Sequence, residues 1–264
     1  MDTATSRRKF RQHAENMDAA EYTNLVRVEE RHWYYAGKRE LVRRWLLRAG
    51  PPTTDQTLLD CGAGTGRFAK EMEQHCRVMV LDDHEESLRL LREHFAADQV
   101  IALTDGDVPL PDASVNYITA LDVLEHIEQD AAAVQGFHRL LKPGGVALVT
   151  VPAGMSLWSD WDVSLHHFRR YSRKNLRAIF PDEDWEIIYL NYTNILAFPI
   201  AWVLRRMRKK QPASESKTRM EDRIPAPWLN TLLQRIFVGM AFWRIPFPFG
   251  LSLLLLARRR EETQ

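Results

Sequence analysis

The chain has 264 residues, of which 45% are apolar and 27% charged, a composition that supports a buried core and excludes general disorder. Its 36 basic residues against 35 acidic ones leave a net charge of +1, so the chain as a whole lacks the basic excess of a nucleic-acid binder. The length suits one α/β domain with an elaborated end.

Two cysteines, Cys61 and Cys76, exclude zinc-type spacing and a disulfide framework, and point to a reducing cytoplasm. The basic cluster Arg7-Arg8-Lys9 is followed by no apolar run, so no secretory leader is expected. No run of about 18 apolar, uncharged residues occurs, and no membrane-spanning helix is expected.

Residues 1–50 read as a helical cap. Leu25, Val28, Leu41, Val42, Trp45 and Leu46 fall near helical spacing, and Gly50-Pro51-Pro52 ends the pattern. From Thr57 short apolar runs alternate with helical stretches. TLLDC leads into a glycine-rich turn and a helix to Glu73. RVMVLD, the helix ESLRLLREHF, QVIALTDG and VNYITALDV follow, then the helix AAAVQGFHRLLK and the run GGVALVTVP. This alternation implies βαβ units and a parallel sheet. A helix at 172–180, a strand WEIIYLNY and a last apolar run GLSLLLLA complete the pattern. The final run reads as a strand covered on both faces and not as a membrane anchor.

Between the last two strands lie two apolar helical stretches, NILAFPIAWVLRRM and WLNTLLQRIFVGMAFW. Over 205–223, eight basic residues, among them Arg205, Arg206, Arg208, Lys209 and Lys210, face three acidic ones, a local +5. Pro199, Arg235, Arg244 and Pro246 interrupt the apolar stretches, so neither spans a bilayer. Aromatic-rich helices beside a basic segment suit the plane of an anionic membrane. Phe198, Trp202, Trp228, Phe237, Phe242 and Trp243 would supply the apolar area. A lid over the sheet or a dimer contact is the alternative.

The glycine-rich turn is LLDCGAGTGRF, in which Gly62, Gly64 and Gly66 let the backbone approach a ligand before a helix begins. Gly64, Gly66 and Ala69 also satisfy a dinucleotide fingerprint. Asp60 at the strand end is electrostatically poor for a pyrophosphate but suits a cationic group, such as the ammonium of an amino acid. Asp82, 22 residues further on, ends the second strand, where a carboxylate can accept both ribose hydroxyls. Asp105 follows the third, where it can receive an adenine amino group. A side chain at Gly62 is expected to occupy the ligand's space.

The chain resembles the class I S-adenosylmethionine-dependent methyltransferases of the ubiquinone/menaquinone-biosynthesis-like type 11 group. The resemblance rests on DCGAGTG, VLDDH, VPLPDASVNYITALDVLEHI and LLKPGGVALVTVP, with Asn116 where the family pattern has Asp. HWYYAGKRE, HHFRRYSRKNL and IPFPFGLSLLLLARRR are similar to segments of one subgroup. It implies a Rossmann-like doubly wound seven-stranded α/β sheet whose last strand is antiparallel. The core would be 51–193 plus 247–260, with an N-terminal helical cap at 1–50 and a helical insert at 194–246. It also implies S-adenosyl-L-methionine as cofactor, bound by Asp60, Gly62, Gly64, Gly66, Asp82, Asp83, Asp105, Gly106 and Leu121.

The resemblance places Asp122, Glu125 and His126 near the transferred methyl, on one helical face by their spacing. Some related enzymes carry a metal on such a segment. The reading adopted has no metal, the segment closing the cofactor pocket. His167, His126 and Tyr171 are the candidate catalytic residues, with His167 as base. Arg169 or Arg170 would hold an anionic acceptor, or else pair with acidic residues and anchor a lid above Tyr171. The expected function is methyl transfer to a hydrophobic or lipid-linked small molecule at the cytoplasmic membrane surface, with no nucleic-acid partner. The alternatives are a soluble methyltransferase of a specialised metabolite and a non-catalytic cofactor-binding scaffold.

Overall fold

The computed structural model describes residues 28–103, 107–208, 224–243 and 245–261. The alternating apolar runs become β1 (Thr57–Cys61), β2 (Arg77–Leu81), β3 (Val100–Ile101), β4 (Val115–Leu121), β5 (Leu141–Pro152), β6 (Trp185–Thr193) and β7 (Ser252–Arg259). They form one sheet in the order β3-β2-β1-β4-β5-β7-β6. β7 runs antiparallel to both β5 and β6. β6 therefore points the same way as β5, and the carboxyl ends of β1, β2, β4, β5 and β6 share one edge. This is a Rossmann-like α/β sheet with its last strand antiparallel, as the resemblance implies.

Helices cover both faces. They are α1 (Trp33–Ala49), α2 (Arg67–Met72), α3 (Glu85–His94), α4 (Asp130–Leu140), α5 (Asp160–Ser164), α6 (Arg173–Ala178), α7 (Phe198–Arg208) and α8 (Pro227–Phe242). The two-sided cover explains the unbroken leucines of β7. Leu253, Leu255 and Ala257 enter the core on one face, Leu254 and Leu256 the core on the other. The strand continues past the apolar run because Arg259 is buried and donates from Nη1 to the Leu141 carbonyl at 2.5 Å. By contrast, among the described residues of the run QVIALTDG, Val100 and Ile101 form the strand and pair with β2 at the sheet edge. Asn116 accepts the Thr57 N–H at Oδ1 (3.1 Å), so the departure from the family pattern ties the start of β1 to β4.

α8, from the segment between β6 and β7, lies against α1. A Cβ at Gly37 would stand 2.8 Å from Phe237 Cδ1, so glycine permits this close approach. Asn230 accepts the Trp33 N–H at Oδ1 (2.9 Å) and donates from Nδ2 to the Arg31 carbonyl (2.7 Å), satisfying groups at the start of α1. Trp45 stacks on Tyr189 at 4.0 Å and packs against Phe242. Among the described residues, no helix is long and apolar enough to cross a membrane.

Candidate active site

β1 delivers the glycine turn to the carboxyl edge. The Gly62 and Ala63 N–H groups both donate to the Leu81 carbonyl, at 2.7 and 3.0 Å, pinning the turn to β2. Gly62 and Gly64 hold φ of +66° and +58°. A Cβ at Gly62 would lie 2.5 Å from Val123 Cγ2, whereas one at Gly64 meets nothing within 4 Å. The expectation that a side chain at Gly62 fills ligand space is thus corrected: it would strike the protein. A Cβ at Gly66 likewise meets Phe95 and Leu91.

Around this turn the carboxylates are already engaged. Asp82 accepts the Gly64 N–H at Oδ2 (2.8 Å) and the His84 N–H at Oδ1 (2.9 Å). Asp60 is 3% exposed and accepts a hydrogen bond from Thr119 Oγ1 (2.5 Å). Burial pushes its carboxyl up to about 7, against the lowering effect of Thr119. Glu29 closes over the turn from the segment before α1, accepting from Thr65 Oγ1 at 2.6 Å. Asp83 is exposed, and Leu121 is half-buried at the end of β4. Asp105 and Gly106 lie outside the described residues.

Beyond β4, Asp122 adopts a left-handed φ of +58°. Its N–H donates to the Thr150 carbonyl (2.9 Å), and its carboxylate accepts from Thr150 Oγ1 (3.0 Å) and Lys38 Nζ (2.5 Å). Burial would raise the Asp122 carboxyl, but Lys38 holds it below its ordinary range. A short 3-10 turn, Leu124–His126, follows. The left-handed residue breaks helical spacing, so Asp122 does not share a face with Glu125 and His126, contrary to expectation.

His167 joins those two instead. The His126 and His167 rings lie 4.6 Å apart and perpendicular. The Phe168 N–H donates to the Glu125 carbonyl (2.8 Å), holding this loop against the turn. Asp162, at the third position of α5, meets His167 Nδ1 at 3.0 Å and accepts from Arg170 Nε at 2.6 Å. Burial opposes ionisation of Asp162, but His167 and Arg170 prevail and hold it at about 2. Burial, followed by the neighbouring His167, lowers His126 to about 4. Glu125 is 1% exposed, and neither carboxylate oxygen has a hydrogen-bond partner on another residue among the described residues. Burial and the Asp122 charge push it well above the ordinary carboxylate range.

Tyr171 stands apart from this group. Its buried hydroxyl donates towards Asp130 Oδ2 (2.7 Å) and the Leu124 carbonyl (3.1 Å), so it packs beneath the loop. Arg169 pairs with Asp130 (2.6 Å) and donates to the Glu128 carbonyl. Arg170 is buried on Asp162 and the Ala153 carbonyl. Both arginines anchor the loop.

At the carboxyl edge lies an apolar cavity of about 330 Å³ between α1, α7, α8 and the end of β6. Trp33, Ile200, Leu233, Phe237, Met240 and Phe247 supply much of its wall. Tyr34, the neighbour of Trp33, places its hydroxyl 3.3 Å from Ser252 Oγ at the start of β7.

Lys38 and Asp162, which the structure brings to this cluster, are not marked by the sequence as candidates. Lys38 meets Asp122 across 84 positions, and no local pattern announces that pair. Asp162 carried a signal, since Ser159-x-x-Asp162 is a capping box that opens α5.

A family model described as a methyltransferase domain matches residues 32–190, and the chain belongs to this family of S-adenosylmethionine-dependent methyltransferases. A probable S-adenosylmethionine-dependent methyltransferase of Mycolicibacterium smegmatis is 27% identical over 61% of this chain and 62% of its own length. A ubiquinone biosynthesis O-methyltransferase of Serratia proteamaculans is 27% identical over 55% of this chain and 66% of its own. The chain thus spans less than two thirds of either relative. A chain of the Haloferax volcanii complex between the Trm112 methyltransferase activator and a putative methyltransferase shares the fold. Its TM-score is 0.58 at 18% identity, covering 93% of this chain and 96% of that one.

Proposed function

We propose that the chain transfers a methyl group from S-adenosylmethionine to an amphipathic or lipid-linked small molecule taken from a membrane surface. The observation that carries this reading is the apolar cavity of about 330 Å³ beside the reacting edge, a volume within the range of small-molecule sites. The acceptor's apolar part fills the cavity and its polar end lies towards Tyr34, Ser252 and His167. The cofactor supplies an activated methyl on a sulfonium, so the chain's task is alignment, water exclusion and removal of an acceptor proton. His167 is suited to that proton, because Asp162 fixes Nδ1 and leaves Nε2 to the site.

The residues of the turn fit the cofactor. Gly64 opens onto space that a side chain would fill, and Asp60 offers a carboxylate to a cationic amino-acid end. Since Asp60 titrates at about 7, it is protonated below that pH and must ionise to pair with an ammonium. Cofactor affinity is therefore expected to weaken as pH falls from 8 towards 6, approaching about tenfold per unit below 7. The Asp60→Asn variant should bind weakly with a flat profile. A wild-type profile as flat as the variant's would remove Asp60 from the binding site.

Exposed apolar residues support the membrane part of the reading. Leu196, Ile200 and Val203 recur at helical spacing in and before α7, and Trp228 and Leu232 do so on α8. Ile200 is 65% exposed and Trp228 71%. The area differs from the one expected: Phe237 is buried against α1, Phe242 packs on Trp45, and Phe198 stacks on Phe249. Side chains at 205–223 lie outside the described residues, but their net charge of +5 is a property of the sequence. Apolar burial contributes roughly 25 cal/mol per Å², and each basic residue near an anionic surface about 1 kcal/mol. Co-sedimentation with anionic vesicles is expected at low salt, with partial release at high salt. Met240→Trp, which narrows the cavity, should reduce turnover of bilayer-embedded acceptors and leave cofactor affinity intact. A protein that ignores vesicles at every salt concentration would move the reading to a soluble metabolite.

A further inference from the structure

Arg173, the first residue of α6, is half-buried beside the end of β6, and its charge is not answered within the chain. Nη2 donates to Asn191 Oδ1 at 2.6 Å and to the Phe247 carbonyl at 2.5 Å, both neutral acceptors. The guanidinium carbon stands 4.8 Å from the centre of the Tyr192 ring, a contact that holds the group in place without neutralising it. Nε is buried with no hydrogen-bond partner, a state that folded chains seldom leave unexplained. Among the described residues no carboxylate pairs with Arg173. The other arginines of the same stretch each have one: Arg169 meets Asp130, Arg170 meets Asp162 and Arg177 meets Asp182.

The residues that touch this guanidinium also belong to the apolar cavity. Tyr192 and Phe247 both line it. Leu196, Ile200 and Ile236 line it as well and are exposed, so the cavity opens on the apolar surface of α7 and α8. Among the described residues, none of those lining the cavity is charged, and Arg173 sets a positive charge against two of them. Such a charge is costly to cover with a purely apolar ligand, which would remove water from it and return nothing. It suits an anion instead, because the guanidinium fork matches the oxygens of a carboxylate or a phosphate in charge-assisted hydrogen bonds.

We propose that Arg173 is an anion subsite of the acceptor site. The acceptor is then an amphipathic anion, with an apolar chain in the cavity and a phosphate or carboxylate against the guanidinium. The use of that anion rests on the methyl-transfer reading; its binding does not. The acidic group is separate from the atom that receives the methyl, which lies towards Tyr34, Ser252 and His167. The exposed mouth lets a chain longer than the cavity continue into a bilayer.

The test is calorimetry on the full chain with probes that share one alkyl chain: decyl phosphate, decanoate, decanol and decyltrimethylammonium. Inorganic phosphate is the probe without a chain. At least one of the two alkyl anions should bind about 10–100-fold more tightly than decanol, and the cation should bind most weakly. The tighter of the two anions identifies the recognised group. Arg173→Gln should erase the preference and leave decanol affinity within about twofold. Arg173→Lys, which keeps the charge without the fork, should retain part of it. Met240→Trp should weaken all the alkyl probes alike. Melting curves and cofactor affinity report whether each variant is folded, and the order of affinities in the wild type stands as a test without them. Equal wild-type affinity for decanol and both anions would overturn the proposal, as would a preference that survives in folded Arg173→Gln. Inorganic phosphate binding as tightly as decyl phosphate would overturn the amphipathic acceptor and leave a site for a free anion. An anion preference in a chain that methylates no amphipathic acceptor would keep the subsite and remove the methyl-transfer reading. Equal turnover of neutral and anionic acceptors would keep that reading and remove the subsite.

Discussion

Gly64→Val is expected to abolish S-adenosylmethionine binding in a protein that still folds. A Cβ at Gly64 would have nothing within 4 Å of it outside its chain neighbours, so the side chain enters open space beside the turn that Asp82 holds and does not start from a clash. Its cost to the fold is the left-handed φ of +58°, about 1–3 kcal/mol for a non-glycine residue. Gly62→Val should behave differently. It carries the same backbone penalty and also drives a side chain into Val123, whose Cγ2 is 2.5 Å from the added Cβ, so thermal stability should fall furthest there. Calorimetry and melting curves on both variants check the pair. Cofactor affinity unchanged in a folded Gly64→Val protein would show that the turn's open face is not where the cofactor lies.

That contrast illustrates which features the sequence carried. The strands were legible because a doubly covered sheet demands continuous apolar runs, and β7 is the clearest case. The glycine turn was legible as a close approach, but not which glycine approaches protein and which approaches ligand. That distinction depends on Val123, 61 positions beyond Gly62. At the reacting edge, spacing suggested a helical face for Asp122, Glu125 and His126. The left-handed φ of Asp122 breaks that face; aspartate is among the few non-glycine residues that enter this region, but spacing alone does not say where one does. The lysine that holds Asp122 and the histidine that approaches Glu125 come from α1 and from the loop after α5. Contacts between such distant segments are set by the sheet topology and leave no trace in local periodicity.

His167→Ala should lower turnover by about 10²–10⁴-fold, the usual contribution of a positioned proton-transfer group, while cofactor affinity stays within about twofold. The fold should tolerate the change. Asp162 keeps its bonds to the Ser159 N–H (2.9 Å), Ser159 Oγ (3.2 Å) and Arg170 Nε (2.6 Å). The Phe168 N–H still holds the loop to the Glu125 carbonyl. The cofactor turn, built from β1, β2 and Asp82, makes none of its hydrogen bonds to this loop, so it should be insensitive to the substitution. Asp162→Asn should give a smaller loss, because it leaves the imidazole in place but weakens its orientation. Tyr171→Phe should leave the chemical step unchanged and lower stability by about 1 kcal/mol, since its hydroxyl serves Asp130 and Leu124. Steady-state rates set beside calorimetric affinities for the cofactor decide the matter. Equal losses of turnover and affinity in His167→Ala, or none in either, would reduce His167 to a member of the loop's scaffold.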